Sequence, residues 1–232
     1  MYPPKKSRST MRKSIADTLQ SLSDAELMMR VGQGGHEAYE MLYGRYARRL
    51  GGFFLRMLAY DTAKAEDMVQ ELFARVWAHR AGYRATQSFA TWLYAMAYNL
   101  CKNDYRHEEV RQSYMEECML REEPATTMDE SFERNELRRL LRQAVQALPE
   151  PQRDAFLLHY DEELTVPEVA RIVGCPEGTV KSRLAAALVA VKKQMKVKLP
   201  KAFWRSLHQP RPHRSRQYHT LLILLRIFSL IL

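Results

Sequence analysis

Apolar residues in this chain recur every three or four positions, and nowhere do they alternate. The clearest run is Val180, Leu184, Ala187, Leu188, Val191 and Met195, which falls on one stripe of a helix with its period of about 3.6 residues. The same spacing returns in Leu137, Leu140, Leu141, Ala144, Val145 and Leu148. It also returns in Val69, Leu72, Phe73 and Val76, and in Phe89, Leu93, Met96, Ala97 and Leu100. A half-buried strand needs a period of two. The chain is therefore predicted to be all-α.

Turn and capping residues cut these stripes into separate helices. Ser23-Asp24-Ala25-Glu26 is a capping-box pattern that opens a short helix through Leu27, Met28 and Val31, and Gly32, Gly34 and Gly35 break it. A longer helix carries Tyr39, Leu42, Tyr46, Phe53 and Met57. Gly51-Gly52 inside it costs about 1 kcal/mol of helix propensity per glycine and is expected to kink it. Asp61 or Thr62 caps a third helix, and a fourth is predicted from about Phe89 to Arg106. Further on, Pro149 stops the helix begun near Leu137, and Pro151 suits an early position of the next, through Phe156, Leu157 and Tyr160. Thr165-Val166-Pro167-Glu168 is a second capping box. Gly174-Cys175-Pro176 then makes a tight turn before the last helix.

Charge divides the chain differently. Residues 1–13 hold five cations and residues 200–232 hold six, neither stretch with an acid, so the formal net charge of +9 lies in the tails. From Glu108 to Glu136 there are ten acids against three arginines, with Pro124 and no sustained helical period. That stretch reads as an acidic linker. The predicted organisation of the 232 residues is a basic, disordered extension (1–22), a helical domain (23–107), the acidic linker (108–136), a second small helical domain (137–199) and a C-terminal tail (200–232).

Catalysis finds no foothold. The seven histidines are scattered, and the chain has no H-E-x-x-H, G-x-S-x-G or P-loop. The cysteines, Cys101, Cys118 and Cys175, are odd in number and form no C-x-x-C pair, which argues against a disulfide framework or a zinc site. No catalytic residue, metal ligand or cofactor is predicted. Unpaired cysteines, with no apolar segment after the basic start, point to a protein kept in the cytoplasm.

Three surfaces can bind. A short helix, a Gly-containing turn and a long helix make a helix-turn-helix, whose second helix offers Glu177, Thr179, Lys181, Ser182 and Arg183 near its start. Lys and Arg neutralise phosphate or read guanine, Ser and Thr bond phosphate, and Glu accepts from cytosine. An ordinary helical hairpin has the same outline. On the predicted fourth helix, Asn99, Lys102, Asn103 and Arg106 share one face, with Tyr94 and Tyr98 close to it and Tyr83 and Arg84 in the loop before it. Amides, cations and aromatics suit melted nucleic acid, although a plain solvated face has the same spacing. On the third helix Asp67, Gln70, Glu71 and Ala74 oppose the apolar stripe, beside Phe73 and Trp77. That acidic face repels phosphate and fits either a protein partner or the helix macrodipole.

Four stretches then occur in a telling order: AEDMVQELFARVW (Ala65–Trp77), SFATWLYAMAYNLCKNDYR (Ser88–Arg106), LPEPQRDAFLLHY (Leu148–Tyr160) and VARIVGCPEGTVKSRL (Val169–Leu184). Together they resemble the extracytoplasmic-function sigma factors, the compact two-domain group of the sigma-70 family, over about residues 23–199. The resemblance implies that the first domain is sigma region 2 and the second is region 4. It implies that Asp67, Gln70 and Glu71 dock on the β′ clamp helices of core RNA polymerase. Tyr83, Arg84, Ser88, Asn99, Lys102, Asn103 and Arg106 then recognise and help melt the −10 promoter element, with a flipped base held by the Tyr83–Ser88 loop. Glu177, Thr179, Lys181, Ser182 and Arg183 read the −35 element while the second domain rests on the β flap. The linker threads toward the polymerase's RNA path, and an anti-sigma factor restrains the whole.

Two features depart from that family. After Ser182-Arg183-Leu184 the family continues with a basic stretch, where this chain has Ala185-Ala186-Ala187-Leu188, so a weak −35 contribution and a shallow salt dependence are expected. The tail ends in Leu221–Leu232, an apolar run of 12 residues interrupted by Arg226. A bilayer span takes about 20 residues. With the basic stretch before it, the tail fits contact with an anionic membrane surface or docking of a regulator, and fits at least as well a tail folded back on the protein or a run created by a frame error.

Overall fold

The computed structural model describes residues 19–84, 88–112 and 131–198, the side chains of 105–112, 131–138, 197 and 198 excepted. All regular structure among these residues is helical. The chain falls into two compact units that divide at Arg111–Gln112.

The first unit holds α1 (Asp24–Gly32), α2 (His36–Met57), α3 (Thr62–Ala78), a 3₁₀ turn (Arg80–Gly82) and α4 (Phe89–Gln112). At the start of α1 the Glu26 amide donates to Ser23 Oγ while Glu26 Oε2 accepts from the Ser23 amide at 2.8 Å, the capping box expected from the sequence. The turn into α2 depends on glycine twice. Gly34 has φ +89°, and a Cβ on Gly35 would lie 2.9 Å from the Arg30 carbonyl oxygen. α2 runs as one α-helix through Gly51-Gly52, and Leu50, Phe53 and Phe54 bury their side chains completely on either side. Tertiary packing of that apolar stripe outweighs the local propensity cost. α2 packs against both α1 and α3. Leu27, Val31, Leu42, Leu50, Phe53, Met57, Leu72 and Leu93 are fully buried, each contributing about 1.5–3 kcal/mol of transfer free energy.

The second unit holds α5 (Ser131–Gln146), α6 (Glu150–Phe156) with a π turn (Leu157–Asp161), α7 (Val166–Val173) and α8 (Glu177–Lys198). α8 packs on α5, α6 and α7, burying Val180, Leu184, Ala187, Leu188, Val191 and Met195, the stripe read from the sequence. Gly174 closes α7 in the left-handed conformation at φ +68°, and the Cys175 amide reaches back to the Ala170 carbonyl.

Two boundaries differ from the sequence reading. α4 continues beyond Arg106 to Gln112, and α5 begins at Ser131 rather than near Leu137, so both ends of the acidic stretch 108–136 are helical. Residues 113–130, with most of that stretch, lie outside the described residues, as do residues 1–18 and 199–232. The helix expected to run from Pro151 through Tyr160 changes hydrogen-bond register at Leu157, where the wider π turn keeps Leu157 and Leu158 buried.

Candidate polymerase and promoter-DNA interfaces

The acidic face lies on α3. Asp61 caps the helix by accepting from the Lys64 amide at 3.1 Å, and Ala65, Val69, Leu72, Phe73 and Val76 turn inward. Glu66, Asp67, Gln70, Glu71 and Ala74 are exposed on the opposite side. Glu71 accepts from Arg75 Nε at 2.7 Å, but the pair is about half exposed, and solvent screens it. The face has an aromatic margin that sequence reasoning saw only in part. Trp77 stacks on His36 at 4.6 Å with the Arg80 guanidinium 4.5 Å from its ring, and Tyr43 of α2, 42 % exposed, leans on Phe73. The signal for Tyr43 and His36 was available as the i, i+3 and i+7 steps His36, Tyr39, Tyr43 along one side of α2.

α4 carries the second face. Asn99 and Asn103 are exposed, and Lys102 Nζ sits 5.4 Å from the Tyr98 ring, a cation over an aromatic face. Among the described side chains of α4 the acid is Asp104, which pairs with Lys64 at 2.7 Å; the side chains of Glu108 and Glu109 are outside the described residues. Arg106 belongs to the same helix, but its side chain is outside the described residues. Tyr94, read from the sequence as close to this polar stripe, is instead buried at 1 % exposure and meets Phe53 edge-on. A fully buried ring satisfies the apolar period better than a solvated one.

The residues before α4 divide into structural and accessible ones. Ser88 Oγ accepts from the Thr91 amide at 3.1 Å and shares a hydrogen bond with Thr91 Oγ1, which makes it the helix cap. Tyr83 is half-buried and edge-on to both Phe89 and Trp92, while Arg84 is exposed. Burial raises the Tyr83 pKa, and the Asp24 charge raises it further. Residues 85–87 lie outside the described residues.

The third face is the start of α8. Pro176 caps it by accepting from the Thr179 and Val180 amides. Glu177, Lys181 and Ser182 are exposed and Thr179 and Arg183 are partly so. Two of these five are already engaged. Ser182 Oγ donates to the Gly178 carbonyl at 2.7 Å, and Arg183 Nη1 approaches Cys175 Sγ at 3.6 Å. Between Arg183 and Val191 the exposed positions are Ala185, Ala186 and Val189, the last 65 % exposed, and exposed cations return further along at Lys193 and Lys196.

These helices match two family descriptions: "Sigma-70 region 2" over residues 42–110 and "Sigma-70, region 4" over residues 138–191. The chain is 31% identical to the RNA polymerase sigma-H factor of Pseudomonas aeruginosa over 188 residues, which is 77% of this chain and 97% of the relative. It belongs to the extracytoplasmic-function sigma factors of the sigma-70 family. An ECF RNA polymerase sigma-E factor of Haemophilus influenzae is 29% identical over 72% of this chain and 93% of its own length. The fold is shared with the sigma factor RpoE of Bartonella quintana, solved in complex with the anti-sigma factor NepR. That structure has a TM-score of 0.55 and 22% identity, covering 69% of this chain and 98% of the other. As a sigma factor, the protein binds core RNA polymerase and directs it to promoters. Among the described residues, the sigma factor has no cluster of His, Cys, Asp and Glu arranged for a metal ion and no helix long and apolar enough to cross a membrane.

Proposed function

We propose that this sigma factor divides its work among three faces. Exposed Asp67, Gln70 and Glu71 on α3 dock on the clamp helices of the polymerase β′ subunit, with Trp77 and Tyr43 as the apolar margin of that contact. Tyr83, Arg84, Asn99, Lys102, Asn103 and Arg106 engage the −10 element as it melts, with Ser88 holding the loop to α4. The first turns of α8, through Glu177, Thr179, Lys181 and Arg183, read the −35 element. Its contribution to initiation is binding, and it works in the cytoplasm, where core polymerase is.

The observation that carries this reading is the separation of charge within one small unit. α3 presents carboxylates that repel DNA, while α4 presents Asn99, Asn103 and Lys102, with Asp104 of the same helix paired to Lys64. A protein-docking face and a nucleic-acid face are thereby kept apart. By likeness to the NepR-bound relative, a proteinaceous anti-sigma factor covers part of these faces when the protein is idle.

Transcription from a promoter library with purified core polymerase tests the assignment. New, promoter-specific transcripts are expected with the wild-type chain and a fall of more than tenfold with Asp67→Ala plus Glu71→Ala. Transcripts insensitive to that double substitution would refute the docking face.

A further inference from the structure

The Arg45–Asp24–Tyr46 cluster contains none of the residues assigned to the three faces, yet its ring contacts lead to one of them, and the Asp24 charge acts on Tyr83 there. Asp24, in the first turn of α1, accepts from Arg45 Nη1 at 2.6 Å through one carboxylate oxygen and from the Tyr46 hydroxyl through the other. Arg45 is itself fixed, donating to the Gln20 and Leu22 carbonyls at 2.9 and 3.0 Å. Tyr46 is buried at 8 % exposure, and its ring meets Phe89 edge-on at 5.4 Å. Phe89 in turn meets Tyr83 at 6.0 Å and Trp92 at 5.9 Å. Burial, then the hydrogen bond to Asp24, then the Asp24 charge hold the Tyr46 phenol protonated, so it remains a donor at any physiological pH. Charge-assisted hydrogen bonds of this kind are directional and set a side chain's angle as well as its depth.

We propose that Asp24 and Tyr46 are positioning residues for promoter opening: they fix the Phe89 ring and through it set the angle at which Tyr83 meets the unpaired −10 strand. The inference rests on Tyr83 touching that strand, as proposed above. A hydroxyl and a carboxylate with no DNA contact of their own thereby tune base selection. Tyr46→Phe is the sharp probe, because it keeps the ring against Phe89 and removes only the hydrogen bond.

The test uses holoenzyme assembled from the full chain and a labelled promoter duplex, pre-opened at the −10 element and drawn from the library above. An abasic site is placed at each −10 position of the non-template strand in turn, and affinity is read as a ratio to the intact strand. Loss of one base–aromatic contact is expected to cost wild type about tenfold at one position. Tyr83→Ala should erase that penalty. Tyr46→Phe and Asp24→Asn should reduce it at least threefold at the same position, with core-polymerase affinity unchanged. A merely structural role lowers the active fraction on both strands alike and leaves the ratio unmoved. A ratio that stays at the wild-type value in Tyr46→Phe while Tyr83→Ala erases it overturns the positioning role. A ratio that survives Tyr83→Ala refutes the strand contact itself, and the inference falls with it.

Discussion

The two helices proposed to meet DNA are built on opposite plans. α4 surrounds its exposed amides and Lys102 with rings: Tyr98 beneath the lysine, and Tyr83, Phe89 and Trp92 at its start. Its Asp104 is paired off with Lys64. α8 offers Glu177 and Lys181 freely, holds Ser182 and Arg183 against its own turn, and then runs from Leu184 to Val191 without a polar side chain. Melted strands need stacking and countercharge, while duplex recognition depends on cations at phosphates. The first helix is equipped for its task. Between Arg183 and Lys192 the second has no cation, so we expect promoter choice to rest mainly on the −10 side.

The largest expected effect follows directly. Asn99→Ala with Lys102→Ala should slow open-complex formation at least tenfold, measured with holoenzyme on a linear promoter. Glu177→Ala with Lys181→Ala should slow it about threefold, as one phosphate or base contact at −35 is lost. Equal losses from the two pairs would break the comparison, since the −35 side would then matter as much as the −10 side.

How much of this was legible beforehand depends on whether a property is local. The α8 stripe, the Gly174 turn and the Ser23 capping box follow from spacing along a few residues, and each stands where the sequence puts it. The family motifs fixed the order of the units for the same reason. What escaped were properties set across elements. Nothing within α4 reveals that Tyr94 faces Phe53 of α2. Ser88 reads from the sequence as a DNA contact, and only the fold shows that its hydroxyl is also bonded to Thr91. The Arg45–Asp24–Tyr46 cluster joins residues about twenty apart, and no periodicity links them.

Adding charge to α8 sharpens the comparison from the other direction. Ala185→Arg and Val189→Arg place cations on exposed positions of the same helix, where substitutions stay within about 0.5 kcal/mol of neutral stability. Each arginine that reaches a phosphate should steepen the salt dependence of duplex promoter binding by about 0.9 in log–log slope. Holoenzyme affinity for a −35 duplex should rise several-fold at low salt. An unchanged slope would mean that this stretch of α8 never approaches the DNA backbone, and that its apolar surface is covered by something else.

Stability separates the units by a smaller margin. Thr165 donates its amide and hydroxyl to Glu168 Oε2 at 2.9 and 2.7 Å, fixing the start of α7. Thr165→Ala should lower the stability of the second unit by about 1 kcal/mol, read as an earlier thermal transition. The −10 abasic penalty, which belongs to the first unit, should not move.

The smallest expected effect decides how literally the α8 contacts should be taken. Ser182 was assigned to phosphate from its place in the motif, yet its hydroxyl donates to Gly178 one turn back. Serine so bonded gains nothing for the helix, and alanine has the higher helix propensity by about 0.5 kcal/mol. If the hydroxyl stays on Gly178 in the complex, Ser182→Ala should change −35 binding less than twofold while slightly raising the melting temperature. A loss near tenfold would show instead that the rotamer swings to phosphate on binding, because a hydrogen bond to a charged group is worth about 1.5–3 kcal/mol. In that case α8 gains a contact only when DNA arrives, and the poverty of its free surface would understate what it does when bound.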